Sequence, residues 1–140
     1  LTDMGHGTRL VADRVKDTEV LILETNHDVE MLNNDPRRSW ALKQRIMSRH
    51  GHLSNEAAAE FLEQLAHNRL EHIFCAHLSR DCNTPELAKT EITQKLVQIG
   101  LPEVNVHLTS QSTPIPTLEI FGNKAAILPE KTVATPSIAL

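Results

Sequence analysis

Apolar residues recur along this chain with two periods, and the periods sort into strands and helices. Residues 17–24 hold Val20, Leu21, Ile22 and Leu23 between polar ends, and residues 71–76 hold Ile73, Phe74, Cys75 and Ala76 after Glu71 and His72. Apolar runs this short, bounded by polar residues, predict buried strands. Residues 8–16 predict a short helix with Leu10, Val11 and Val15 on one side, and residues 39–48 another with Leu42, Ile46 and Met47. After Ser54 the apolar positions Ala57, Ala58, Phe61, Leu62, Leu65 and Ala66 fall on one helical face. Ser54 suits the N-cap, and Glu56 suits the positive end of the helix dipole. The last helix is marked at both ends. Thr84 caps, Pro85 takes the first position, Glu86 follows, and Gly100 and Pro102 stop it. Its buried stripe is Leu87, Ala88, Ile92, Leu96 and Ile99. Residues 104–108 alternate like a half-buried strand, 117–121 predict a final strand, and 122–140, with Pro129 and Pro136, read as a loose tail.

With a strand leading into Thr2, the order is β–α–β–α–α–β–α–β–β. Alternation of this kind predicts an α/β layer with a mainly parallel sheet. Such sheets place ligands beyond the carboxyl ends of their strands. Candidate ligands lie at those ends: Asp3 and His6 after the first strand, His27 after the second, His77 after the third. A further group, His50, His52 and Ser54, precedes the best-marked helix. Imidazole nitrogens with carboxylate oxygens are a set that Zn²⁺ accepts. Each residue also has a plain reading. Asp3 fits a turn or a cap, His27 a backbone bond at a strand end, His52 a bond near a helix start, and His6 and His50 the surface. His67, His72 and His107 have no partner in spacing and read as structural or exposed. Cys75 reads as a small core residue, and Cys82 lacks the companions a metal-binding thiol needs.

Composition narrows the classes. The 140 residues include 8 His and only four large aromatics, 3 Phe and 1 Trp. The length fits one domain, and the core is aliphatic with little surface for stacking bases. No apolar run approaches membrane-spanning length, and the start has no signal-peptide pattern. A net charge of −4 argues against a large basic nucleic-acid surface. A local basic group remains, Arg37, Arg38, Lys43, Arg45 and Arg49, just upstream of His52, where it would steer a phosphate backbone. The 2 Cys form no disulfide framework and point to a reducing, cytoplasmic setting.

The local strings carry a resemblance. They are Asp3-Met4-Gly5-His6, Leu23-Glu24-Thr25-Asn26-His27-Asp28-Val29-Glu30-Met31-Leu32, Leu42-Lys43-Gln44-Arg45-Ile46, Gly51-His52-Leu53-Ser54-Asn55 and Ala76-His77-Leu78-Ser79-Arg80 with Asn83-Thr84-Pro85-Glu86-Leu87-Ala88. In this order, over residues 1–121, they resemble the C-terminal half of metallo-β-lactamase-fold hydrolases of the WalJ/YycJ type, relatives of ribonuclease Z. The resemblance implies half of an αββα sandwich and a phosphodiesterase or DNA exonuclease that uses water activated by two divalent metal ions, Zn or Mn. It implies that Asp3 bridges the metals and His77 ligates one. It places His27 near the scissile phosphate and His52, with Ser54, around the phosphate site. His27 or His52, as imidazolium, would steady the phosphate or protonate the leaving oxygen, and Arg80 would add a phosphate contact.

The family's main metal motif, His-x-His-x-Asp-His, does not occur here. The chain therefore reads as truncated at its N-terminus and as inactive by itself. Its partners would be the missing N-terminal half and a nucleic acid or other phosphodiester, with no membrane. An uncovered sheet face would favour self-association. The alternatives are a same-fold hydrolase of another ester or small cyclic phosphate, and an inactive half-domain that only associates.

Overall fold

The computed structural model describes residues 1–121 and 124–127. The elements are α1 (Arg9–Val15), β1 (Val20–Glu24), α2 (Val29–Asn34), α3 (Trp40–Ile46), α4 (Asn55–Leu65), β2 (His72–Ala76), α5 (Pro85–Gln98), β3 (Asn105–Leu108), β4 (Leu118–Phe121) and β5 (Lys124–Ile127). Strands β1, β2 and β3 form a parallel sheet in that order, with Leu23 opposite Cys75 and Cys75 opposite Leu108. β4 and β5 form a separate antiparallel pair. The α/β character and the parallel sheet agree with the sequence pattern. No helix among the described residues is long and apolar enough to cross a membrane.

Alternation along the strands divides the sheet into two faces. Leu21, Leu23, Ile73 and Cys75 face one way and join Ala58, Phe61, Leu62 and Leu65 of α4 and Ile92 and Leu96 of α5 in the core. The other face carries Ile22, 53% exposed, beside Phe74, whose register partner His107 stacks on it with ring centroids 4.6 Å apart. His72 and His107, unpaired by spacing, are bonded here through Nδ1 and Nε2 at 2.8 Å.

The helix ends follow the expected chemistry. Ser54 accepts from Ala57 N at 3.1 Å, and Thr84 accepts from Leu87 N at 3.2 Å with Pro85 next in the chain. Gly100 closes α5 at φ +79°, a conformation that suits a residue without Cβ.

Four features depart from the expectation. No strand is present at residues 1–2, where the Leu1 carbonyl accepts from Glu24 N at 2.9 Å. α2 is additional, capped by Asp28, whose carboxylate accepts from Met31 N at 2.7 Å. Its six residues are too few to display a period. The stripes of α1 and α3 hold only in part: Val11 and Val15 pack against the core, but Leu10 is 69% and Leu42 42% exposed, while Lys43 is buried and its ammonium donates to Asn33 O at 2.7 Å. Lastly, β5 lies inside the segment read as a loose tail; residues 122–123 and 128–140 lie outside the described residues.

Leu23 is fully buried in the sheet that carries the strand ends. Replacing it with Ala removes packed methyl groups and leaves a cavity, so urea unfolding of the protein should show a loss of about 2–5 kcal/mol. A loss well under 1 kcal/mol would mean that this face is not a packed core.

Candidate metal centre

The carboxyl ends of β1 and β2 lead into loops that are laced together by their backbones. Thr25 N donates to Ala76 O at 3.0 Å and Ser79 N to Asn26 O at 2.7 Å. Asn26 N donates to Leu53 O and Asn55 N to His27 O, both at 2.9 Å, so the segment before α4 runs parallel to the chain after β1. Asp28 N reaches Cys82 O at 2.8 Å. Beneath them the buried amides of Asn55 and Asn83 exchange two bonds of 2.9 Å, and Asn83 Nδ2 also donates to Thr25 O. Segments far apart in sequence thus form one platform.

Glu24 stands at its centre. The strand period places it on the Ile22 face, yet it is fully buried, because the surrounding loops close over it. Its Oε1 accepts from His52 Nδ1 at 2.8 Å and from His77 Nδ1 at 2.7 Å. Its Oε2 accepts from Met4 N at 3.0 Å, which holds the backbone just after Asp3. Asp3 Oδ1 lies 3.8 Å from His52 Nδ1 and 3.9 Å from His77 Nδ1. The two rings meet edge to face at 5.0 Å. One ligand-type atom from each of Asp3, His52 and His77 lies within 4.8 Å of the others.

This arrangement has a direct chemical meaning. With both Nδ1 atoms donating to Glu24, the free lone pair of each neutral ring is on Nε2. A carboxylate behind a histidine fixes ring orientation and tautomer in the manner of metal ligands. Two imidazoles and one carboxylate suit Zn²⁺ or Mn²⁺. Asp3 and His77 both adopt left-handed backbone, φ 57° and 60°. That conformation is uncommon outside glycine and concentrates at functional sites. A close approach helps to hold the Asp3 loop: a Cβ on Gly5 would come within 1.9 Å of Ser48 O, so only glycine lets this loop lie against the turn before His52.

The remaining sequence candidates fall as follows. His27 is buried beside the cluster, and its Nδ1 has no partner among the described residues. Burial pushes its pKa down, so the ring is neutral at pH 7 rather than an imidazolium. It lines a cleft of 330 Å³ together with His52, His77, Arg38 and Arg80. Ser54 lies buried as the cap of α4. Arg80 is exposed at the rim. His6 and His50 are exposed outside the cluster.

Two of the five residues in the basic group are ion-paired. Arg37 pairs with Asp35 at 3.0 Å and Asp81 at 3.1 Å, and Arg38 pairs with Asp35 and with Asp81 at 3.1 Å. Bonds from Arg37 hold the Asp35 carboxyl well below the usual range. Lys43 is buried, which leaves Arg45 and Arg49 exposed. Sequence reasoning missed Glu24, Asp35 and Asp81. The available signal for Glu24 was an acid ending an apolar strand, since a buried carboxylate demands donors.

No protein-family model matches the chain. Two proteins named exodeoxyribonuclease WalJ, from Streptococcus pneumoniae serotype 2 (strain D39 / NCTC 7466) and from Streptococcus pneumoniae (strain ATCC BAA-255 / R6), are each 39% identical to it over 123 residues, 86% of this chain and 45% of the relative. A protein named exodeoxyribonuclease YycJ from Bacillus anthracis is 38% identical over 100 residues, 71% of this chain and 38% of the relative. The chain spans less than half the length of these relatives.

Two outcomes follow from the geometry. Glu24→Gln keeps the volume but removes the charge and one of the two acceptor oxygens, so the side chain no longer accepts from both rings and from Met4 N, and Zn²⁺ affinity measured against a chromophoric chelator should fall about 10–100-fold; unchanged affinity would leave Glu24 a structural acid only. The neutral, buried His27 gives the sign of an acid effect. Its folded pKa lies below the unfolded value, so the unfolded chain binds the proton first as pH falls below about 6.5. Stability should drop from pH 7.5 to 5.5, and drop less in His27→Gln; equal slopes would remove His27 as a cause.

Proposed function

We propose that this chain is part of a WalJ/YycJ-type exodeoxyribonuclease of the metallo-β-lactamase fold, and that the whole protein hydrolyses DNA phosphodiesters at a divalent-metal centre. The gathering of Asp3 with His52 and His77, the two rings held on the buried carboxylate of Glu24, carries this reading. The names of the relatives supply the substrate.

Asp3, His52 and His77 would hold the metal, with further ligands from the rest of the protein. Two divalent ions, Zn or Mn, would supply water activation near neutral pH and neutralise charge on the phosphate oxygens. The chain's own contribution is orientation. Glu24 holds both imidazoles and the Asp3 loop in one geometry, and the laced loops keep that geometry from relaxing. His27 starts neutral in its buried position. An incoming phosphate raises its pKa, and the ring then takes up a proton that it gives to the leaving oxygen. His52, with Nδ1 on Glu24, has Nε2 left for chemistry, and beside Asp3 and His77 that nitrogen would serve as a metal ligand.

The Ile22 face is where the second layer of the sandwich would pack; alone, the chain would self-associate there. The two free thiols, Cys75 and Cys82, are buried, as suits a cytoplasmic protein.

The test uses the full-length protein. Asp3→Ala, His52→Ala and His77→Ala should each lose most bound metal, measured by plasma mass spectrometry, and at least 100-fold in exonuclease rate on linear DNA, as expected when a metal ligand is removed. Metal retained in His52→Ala with the rate lost would return that residue to acid catalysis. Metal and rate both retained in Asp3→Ala and His77→Ala would contradict the reading.

A further inference from the structure

The larger of the two clefts beside the cluster, 440 Å³, opens at the carboxyl ends of β2 and β3 and has His77 in its wall. Its size lies within the ~300–1,000 Å³ of ligand sites, and parallel sheets bind ligands at this end. Arg80, Asn83, Thr109, Ser110, Gln111 and Ser112 line most of the rest.

Three observations define what it accepts. The first is charge. The chain has 18 acids against 14 Lys and Arg, yet no carboxylate is among the lining residues. Arg80 is exposed there and has no ion pair among the described residues, whereas Arg37 and Arg38 nearby are tied to Asp35 and Asp81. The second is order. Thr109 N and Oγ1 donate to Cys75 O at 3.1 and 3.0 Å, and Gln111 Nε2 donates to Leu78 O at 3.1 Å. Ser110 Oγ accepts from Ser112 N at 3.2 Å and Thr113 N at 3.3 Å. The turn that forms the far wall is therefore fixed, with hydroxyl groups along the cleft. The third is the absence of Phe, Tyr and Trp from the lining; its one ring, His77, is held on Glu24 through Nδ1, so the cleft offers no large platform for stacking a base.

We propose that this cleft binds the nucleotide next to the scissile phosphodiester, with Arg80 on that nucleotide's phosphate and the hydroxyls of Ser110 and Ser112 on its sugar–phosphate oxygens. The contact reads the backbone and carries no base preference. The proposal rests on the nuclease reading and adds the place on this chain that holds the strand beside the metal cluster.

The test measures binding and turnover separately, on the full-length protein with Arg80→Ala and Arg80→Lys. Fluorescence anisotropy of a labelled single-stranded oligodeoxynucleotide, in EDTA, reads binding without hydrolysis. Arg80→Ala should weaken it about tenfold at low salt and lower the salt slope by about one. Arg80→Lys should recover part of the loss, since it keeps the charge but not the fork. The effect should be equal for oligo-dA and oligo-dT. In turnover, the loss in kcat/KM should be at least threefold greater on the oligonucleotide than on bis(p-nitrophenyl) phosphate, which has no second phosphate. Unchanged binding and salt slope, or equal losses on both substrates, would overturn the subsite. A wild-type protein that hydrolyses neither substrate, yet binds the oligonucleotide through Arg80, would overturn the nuclease reading and keep the strand-binding cleft.

Discussion

A carboxylate shut away from water dictates much of this molecule. Glu24 ends a short apolar strand and is 0% exposed. A buried charge costs several kcal/mol unless it is paired and hydrogen-bonded. The chain satisfies it with donors from three places far apart in sequence: Met4 N, His52 Nδ1 and His77 Nδ1. The convergence of Asp3, His52 and His77 is then a consequence. Whatever folds to satisfy Glu24 also brings the ligand-type atoms together.

The surroundings keep that solution rigid. Two residues of the cluster, Asp3 and His77, sit in left-handed backbone. Such strain persists only where neighbours over-determine it. Here the neighbours are the Glu24 bonds, the backbone lacing of the loops and the buried Asn55–Asn83 pair. A site held this way is organised before any ligand arrives, which is where much of the benefit of positioning arises.

The elements with strong local signals were legible in the sequence. α4 and α5 carry their caps, stripes and stop signals in consecutive residues, and β1 and β2 are compact apolar runs. α2 was not legible, because six residues show no period. The exposed ends of the α1 and α3 stripes were not legible either: Leu10 and Leu42 are apolar and yet exposed, since periodicity marks a stripe but not the surface that covers it. At the site, the strand-end rule drew attention to Asp3, His27 and His77. It did not reveal Glu24, whose partners lie 20, 28 and 53 residues away. The same long range hid the ion pairs that Asp81 makes with Arg37 and Arg38, whereas Asp35, two and three residues before them, was a local signal that went unread.

The most direct measurement of the central claim is anomalous X-ray diffraction at the zinc edge from crystals of the full-length protein grown with Zn²⁺. The account predicts an ion peak bounded by Asp3, His52 and His77, with Glu24 still bonded to both rings. Zinc bound elsewhere, or Glu24 turned away from the imidazoles when the ion is present, would contradict it.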